Sequence, residues 1–311
     1  MTMPAQAPVL PILDPVNDGR HRLRDLPLER ESIPYVIALP EHGIAAFVYT
    51  WVTKDNLAGS ALAAYGPGIG DTPVFEAVDG IPMGPEKNFD DWQVGNLYLS
   101  QDLKMKTARF KVSTARVTID AAYEAVQPAY AYSFHPDGCP AFAATDRLEQ
   151  AGRVRGTVTV DGRRLPFDTF CARDHSWGTR DWGQPQHWKW LHAYNADTQL
   201  HFWKIEIGGR SELRGYVNRD GLFAEVVDVA VDFTTDARYH QKTLSATVTD
   251  SIGRRLKVDG EYFATLVMPP VPTCSLVEGA MRCTIDGEAA VGWTEFMWPT
   301  DYLAYMASLK A

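Results

Sequence analysis

Short runs in which apolar and polar residues alternate, broken by glycine, proline, asparagine or aspartate about every ten positions, fill most of the chain. Alternation with period two sends side chains to opposite faces of a β-strand, and turn residues at that spacing mark hairpins. Residues 35–39 and 44–52 read as β-rich runs around Pro40-Glu41-His42-Gly43, which has hairpin chemistry. Residues 94–99, 108–112 and 115–120 alternate over short spans, predicting a sheet wet on one face. Residues 153–160, an Asp161-Gly162 turn and residues 164–170 form the clearest hairpin, and residues 188–194 and 200–207 form another around Asn195 to Thr198. Further strand-like runs cover 213–217, 223–233, 243–249, 255–258, 262–268, 281–285 and 289–298. Residues 1–34, rich in proline and charge, read as an irregular arm, and 57–73 as loop around one short strand. Helical spacing occurs only over 301–311, where Tyr302, Tyr305, Met306 and Leu309 make an apolar stripe.

The chain is therefore expected to be nearly all β. Roughly eighteen strands are too many for one small sandwich, so two packed barrels or sandwiches are the economical answer. The Gly183 to Gln186 break divides them, giving an N-terminal β domain over 1–184 with its irregular arm and a C-terminal β domain over 185–311 with a short helix. Period two also puts Trp188, Trp190, His192 and Tyr194 on one face of a strand, lining a cavity or a core.

Composition narrows the class. At 311 residues and 45% hydrophobic the chain can fill a sizeable core, and a net charge of −9 argues against nucleic acid or an anionic membrane as partner. The first eight residues lack a basic region or an apolar run of signal length, and no stretch approaches the roughly 20 apolar residues of a membrane span. A cytoplasmic protein without stable membrane insertion is expected. Cys139, Cys171, Cys274 and Cys283 have neither CxxC nor zinc-finger spacing. Cys274 and Cys283 are spaced to meet across a hairpin, but free thiols are the expectation in a reducing compartment.

The densest chemistry lies in Cys171-Ala172-Arg173-Asp174-His175-Ser176-Trp177-Gly178-Thr179-Arg180-Asp181-Trp182-Gly183. Charged groups beside bulky rings are costly unless each finds a partner. Either the stretch is functional, with perturbed proton affinities, or it is a turn closed by structural ion pairs among Arg173, Asp174, Arg180 and Asp181. No P-loop, GxGxxG or GxSxG motif occurs, and Ser176 is weak as a nucleophile. A metal could be held by His187 with His192, or by His192 with His201 across the hairpin, but one or two histidines with no adjacent carboxylate are more often core or stacking residues, and no metal site is expected.

Asp146-Arg147-Leu148-Glu149-Gln150, then Gly152 to Val158, then the Arg-Asp-His-Ser-Trp-Gly core within 170–182 resemble the bacterial relatives of carotenoid 1,2-hydratase (hydroxyneurosporene synthase). These belong to a two-domain, lipocalin-like superfamily that includes kievitone hydratase and fungal Diels–Alderases. The resemblance implies two tandem lipocalin-like barrels, an apolar cavity, and cofactor-free chemistry on a polyene or terpenoid-like substrate. It places the family's proton-donating acid on Asp174, while the tyrosine two residues before that acid is Ala172 here. Two functions follow. One is a hydratase or related lyase, isomerase or cyclase, with Asp174 and His175 as the proton-transfer pair. In it Trp177, Trp182, Trp188, Trp190, His192 and Tyr194 contact a hydrophobic small molecule, and Arg173, Arg180 and Asp181 form an ion-paired frame. The alternative is a non-catalytic carrier of such a molecule.

Overall fold

A computed structural model describes residues 10–310; residues 1–9 of the expected arm and Ala311 of the expected helix lie outside them. The described residues form nineteen strands, two short 3-10 turns and one α-helix. Eleven strands make one sheet: β1 (Glu29–Leu39), β2 (Ile44–Thr53), β3 (Leu57–Tyr65), β4 (Val74–Pro82), β5 (Trp92–Val94), β6 (Leu97–Gln101), β7 (Thr107–Ser113), β8 (Val117–Ala125), β9 (Tyr130–Ala131), β10 (Asp146–Val160) and β11 (Arg163–Thr179). The order is β4-β3-β2-β1-β11-β10-β8-β7-β6-β5, with β9 beside β10. The sheet rolls so that Ser60 Oγ of β3 donates to the Val94 carbonyl of β5 at 2.8 Å.

Eight more strands close an up-and-down barrel: β12 (His187–Tyr194), β13 (Thr198–Ile207), β14 (Arg210–Arg219), β15 (Leu222–Thr235), β16 (Gln241–Asp250), β17 (Arg255–Val271), β18 (Cys274–Ile285) and β19 (Glu288–Pro299). Pairing of β12 with β19 completes it, and α1 (Thr300–Ser308) follows. The all-β expectation holds, as does the single short C-terminal helix. That helix is too short to cross a membrane, and no helix among the described residues is long and apolar enough to do so.

Period two sorts the apolar residues into three cores. Tyr35, Ile37, Val48, Trp92 and Phe110 fill the rolled sheet, and Leu191, Ala193, Phe202, Val258 and Phe296 fill the barrel. Between the two bodies lies a third layer, with Val36, Ala38 and Ala172 from the sheet against Trp188, Trp190, Trp203, Tyr216 and Trp293 from the outer face of the barrel. A fully buried large side chain contributes about 1.5–3 kcal/mol, so this layer joins the bodies firmly.

The structure corrects several sequence expectations. β1 starts at Glu29, inside the expected arm, because both its faces are covered. Residues 57–65 are a full strand, and β4 was missed because it is an edge strand with almost no buried face and hence no alternation. Residues 94–99 divide between β5 and β6 at Gly95 and Asn96. The largest correction concerns residues 171–179, which are extended strand paired on both sides, with Tyr35 opposite Arg173 and Glu149 opposite Asp174. All four cysteines are free thiols, as expected, and Cys274 and Cys283 share β18 rather than facing across a hairpin.

Candidate active site

Because residues 171–179 are extended, neighbouring side chains go to opposite faces. Asp174 turns toward the barrel, while Arg173 and His175 turn into the rolled sheet. Asp174 is 5% exposed; its Oδ2 accepts from Arg147 Nη2 at 2.8 Å and its Oδ1 has no partner. Burial raises its pKa to about 7. The Arg147 guanidinium opposes this but does not win, because the same cation serves Glu149, whose Oε1 lies 2.6 Å from Arg147 Nε and whose charge also discourages ionisation of Asp174.

Glu149 is the polar centre of the joint between sheet and barrel. It accepts from the Tyr132 hydroxyl at 3.0 Å and Trp190 Nε1 at 2.9 Å, and its Oε2 lies 3.1 Å from His192 Nε2. The Tyr132 hydroxyl also lies 2.9 Å from His201 Nε2, whose ring stacks on His192 with centroids 4.3 Å apart. Burial pushes both imidazoles toward the neutral form, although Glu149 pulls the other way. Burial opposes the charge on Glu149, yet Arg147, His201 and His192 together hold its carboxyl well below the usual range.

Ligand atoms of Glu149, His192 and His201 all lie within 4.8 Å of one another, as do those of His21, Glu31 and His175. The carboxylate that sequence neighbourhood did not offer the histidines is thus supplied by β10. In both groups the atoms are already joined by hydrogen bonds, and Glu149 has Arg147 as its counter-charge.

Between the bodies opens a cavity of about 450 Å³, within the ~300–1,000 Å³ range of small-molecule sites. Its walls carry Trp182, Trp188, Trp190 and Trp203, and Asp174 stands among them. Glu278 of β18 and Glu295 of β19, opposite each other in the strand ladder, also line it. Trp293 Nε1 donates to Glu278 Oε2 at 2.6 Å, leaving Oε1 unpartnered, and Trp188 Nε1 donates to Glu295 Oε1 at 2.8 Å. Burial, with the Glu295 carboxylate beside it, holds Glu278 protonated far above the ordinary range. Sequence reading missed Arg147, Glu149, Glu278 and Glu295 as site residues. An acid within an otherwise apolar strand was the available signal for the two on β18 and β19.

A family model matches residues 14–300, nearly the whole chain. The chain belongs to the DUF7064 family, a domain of unknown function. No curated protein matches it in sequence. The fold of this DUF7064 chain is shared with an AttH-type protein from Nitrosomonas europaea (15% identity, TM-score 0.63, covering 94% of this chain and 98% of that one). Kievitone hydratase from Nectria haematococca shares it too (12% identity, TM-score 0.60, covering 93% and 94%). So does CghA, solved with Sch210972 (13% identity, TM-score 0.59, covering 88% and 89%).

The cavity of the DUF7064 chain gathers some of the residues expected from sequence and not others. Asp174, Trp182, Trp188 and Trp190 line it. His192 and Tyr194 share the face of Trp188 and Trp190 but lie behind the cavity wall, fully buried. His175 does not pair with Asp174: its Nε2 meets Glu31 Oε1 at 2.7 Å, inside the rolled sheet. Trp177 lies on that side too, stacked on His21 with centroids 3.6 Å apart. The expected ion-paired frame is not made. Arg173 pairs with Asp18 at 2.8 Å; among the described residues Arg180 forms no ion pair with a carboxylate, and Asp181 accepts from Gly183 N and the Gln184 side chain. For Arg173, His175 and Trp177 the cause is the strand, since a turn lets neighbours converge whereas a strand separates them by face.

Proposed function

We propose that this protein is a hydratase, or a lyase, isomerase or cyclase of the same type, that starts its reaction by moving a proton from Asp174 to a carbon–carbon double bond, without a cofactor. The observation that carries the reading is a buried carboxyl on the wall of an aromatic-lined cavity, with pKa near 7 and one oxygen unpartnered. A general acid should hold its proton near neutral pH and present it to the substrate, and this one meets both demands. In hydration the Asp174 proton becomes a C–H bond at one alkene carbon. Water then forms a C–O bond at the other, and its surplus proton returns to the Asp174 carboxylate, which restores the acid for the next turnover. Trp182, Trp188, Trp190 and Trp203 present electron-rich faces to the intervening cation. The motif's resemblance to carotenoid 1,2-hydratases supports a hydrophobic, isoprenoid-like substrate, and the fold shared with kievitone hydratase supports a hydratase. A carrier would gain nothing from burying a carboxyl at a cost in stability.

The test begins with the hydrophobic molecule retained when the protein is purified from its own host, identified by mass spectrometry. Asp174→Asn keeps the shape and removes the acid, so turnover of that molecule should fall about 10²–10⁴-fold. Undiminished turnover by the Asn variant ends the proposal.

A further inference from the structure

Among the described residues, two guanidinium groups on the cavity wall form no ion pair. Buried arginines elsewhere in the same layers are paired: Arg147 with Glu149 and Asp174, and Arg173 with Asp18. Arg180 instead donates from Nε to the Ala143 carbonyl at 3.2 Å and from Nη2 to Ser176 Oγ, both neutral. Arg30 donates to the Tyr49 hydroxyl at 3.0 Å, and its Nε is buried without a partner. No carboxylate of the described residues forms an ion pair with either. Both sit against one ring, with the guanidinium carbons 5.4 Å (Arg30) and 5.6 Å (Arg180) from the Trp182 centroid. All three residues line the cavity.

Burial is the chief reason the Arg180 guanidinium is pushed below its ordinary value; Arg147 and Arg30 add to it, while Tyr49 and Asp174 oppose it without prevailing. The acids on the same walls form no ion pair with either arginine. Asp174 and Glu278 are driven toward their neutral forms, Glu295 is held by Trp188 Nε1 at 2.8 Å, and Asp79 at the rim is held by Trp51 Nε1 at 3.1 Å and by Gly80 N at 2.8 Å. In a chain of net charge −9, this is a local cationic spot at the end of an aromatic-lined cavity.

We propose that Arg30 and Arg180, set around Trp182, are an anchor for a carboxylate, and that the ligand is a hydrophobic carboxylic acid. A planar guanidinium matches a carboxylate in two-point hydrogen bonding, and desolvation at the cavity wall strengthens the pairing. With the anionic end held there, the apolar body lies along Trp188 and Trp190, within the cavity that Asp174 faces. This deepens the proton-transfer reading by naming its substrate class, and rests on that reading only in calling the ligand a substrate.

The test is a binding measurement on the full chain. Biphenyl-4-carboxylate and its uncharged twin, biphenyl-4-carboxamide, differ in charge at nearly equal size and are titrated calorimetrically at neutral pH. The carboxylate should bind about 10- to 100-fold more tightly. Arg180→Gln and Arg30→Gln should each shrink that ratio toward one with little change for the amide. Arg180→Lys should recover part of it, which separates lost charge from lost folding. Equal binding of acid and amide, no measurable carboxylate binding, or equal weakening of both ligands in the Gln variants overturns the anchor. Asp174→Asn should keep the preference. A protein that prefers the acid while Asp174→Asn turns over as wild type would refute the catalytic reading alone.

Discussion

Asp174 shows how one carboxyl can sit beside an arginine and still hold its proton. The balance is set by desolvation against a guanidinium already shared with Glu149. Its proton affinity is raised by folding, from an ordinary 3.8 to about 7, so the sign of its effect on stability is fixed. Below pH 3.8 both folded and unfolded states are protonated and burial of the group carries no ionisation cost. As pH climbs the unfolded state ionises first, and above pH 7 the folded state bears the full cost of a buried charge. Asp174→Asn removes that cost, so the variant should be more stable than wild type at pH 8, by the order of 1–4 kcal/mol. The difference should shrink as pH falls through 7 and vanish near pH 4. Chemical denaturation at three pH values measures it, and a variant less stable at pH 8 would mean Asp174 is an ionised structural partner. The acid itself was legible in the Arg-Asp-His-Ser-Trp-Gly core. Its partner was not, because Arg147 lies on β10, reached through a strand register that no local motif encodes.

At the scale of the strand, the motif's glycine does something other than permit a turn. Gly178 has φ +128°, and a Cβ there would lie 2.2 Å from the Thr145 backbone nitrogen, which itself donates to the Trp177 carbonyl at 2.7 Å. That contact seats residues 142–145 against the end of β11, and from this seat the Ala143 carbonyl receives Arg180. Gly178→Ala should therefore cost about 2–4 kcal/mol, with both strain and backbone collision contributing. Gly162, in the β10–β11 turn at φ +83° with nothing within 4 Å of its would-be Cβ, is the matched control, and Ala there should cost about 1 kcal/mol. Equal melting temperatures for the two variants would show the Thr145 contact to be slack. Period-two alternation exposed most strands of the chain. It failed for β4, whose residues have almost no buried side, and for 171–179, whose charged side chains are buried on both faces, Arg173 and His175 in the rolled sheet and Asp174 against the barrel.

For the whole molecule, an all-β chain in two bodies was legible from hairpin spacing, whereas the way the bodies meet was not. Trp188, Trp190, His192 and Tyr194 do share a face, but alternation cannot say whether that face is inside the barrel. The inside is taken by Leu191 and Ala193, and the aromatic face is outermost because the rolled sheet covers it. The two bodies meet on Glu149, and this makes the acidity of Asp174 a property of the assembled joint. In Glu149→Gln, Arg147 keeps a single carboxyl partner and the negative charge opposite Asp174 disappears, both of which favour an ionised Asp174. A reaction that needs the protonated acid is fastest below its pKa and is lost as pH rises through it. The descending limb of kcat/KM against pH, near 7 in wild type, should therefore move down by about one unit or more in Glu149→Gln. A joint that was merely mechanical would lower stability and leave the limb in place. An unshifted limb with reduced stability would show that Glu149 only holds the bodies together, and that the proton affinity of Asp174 is set by burial alone.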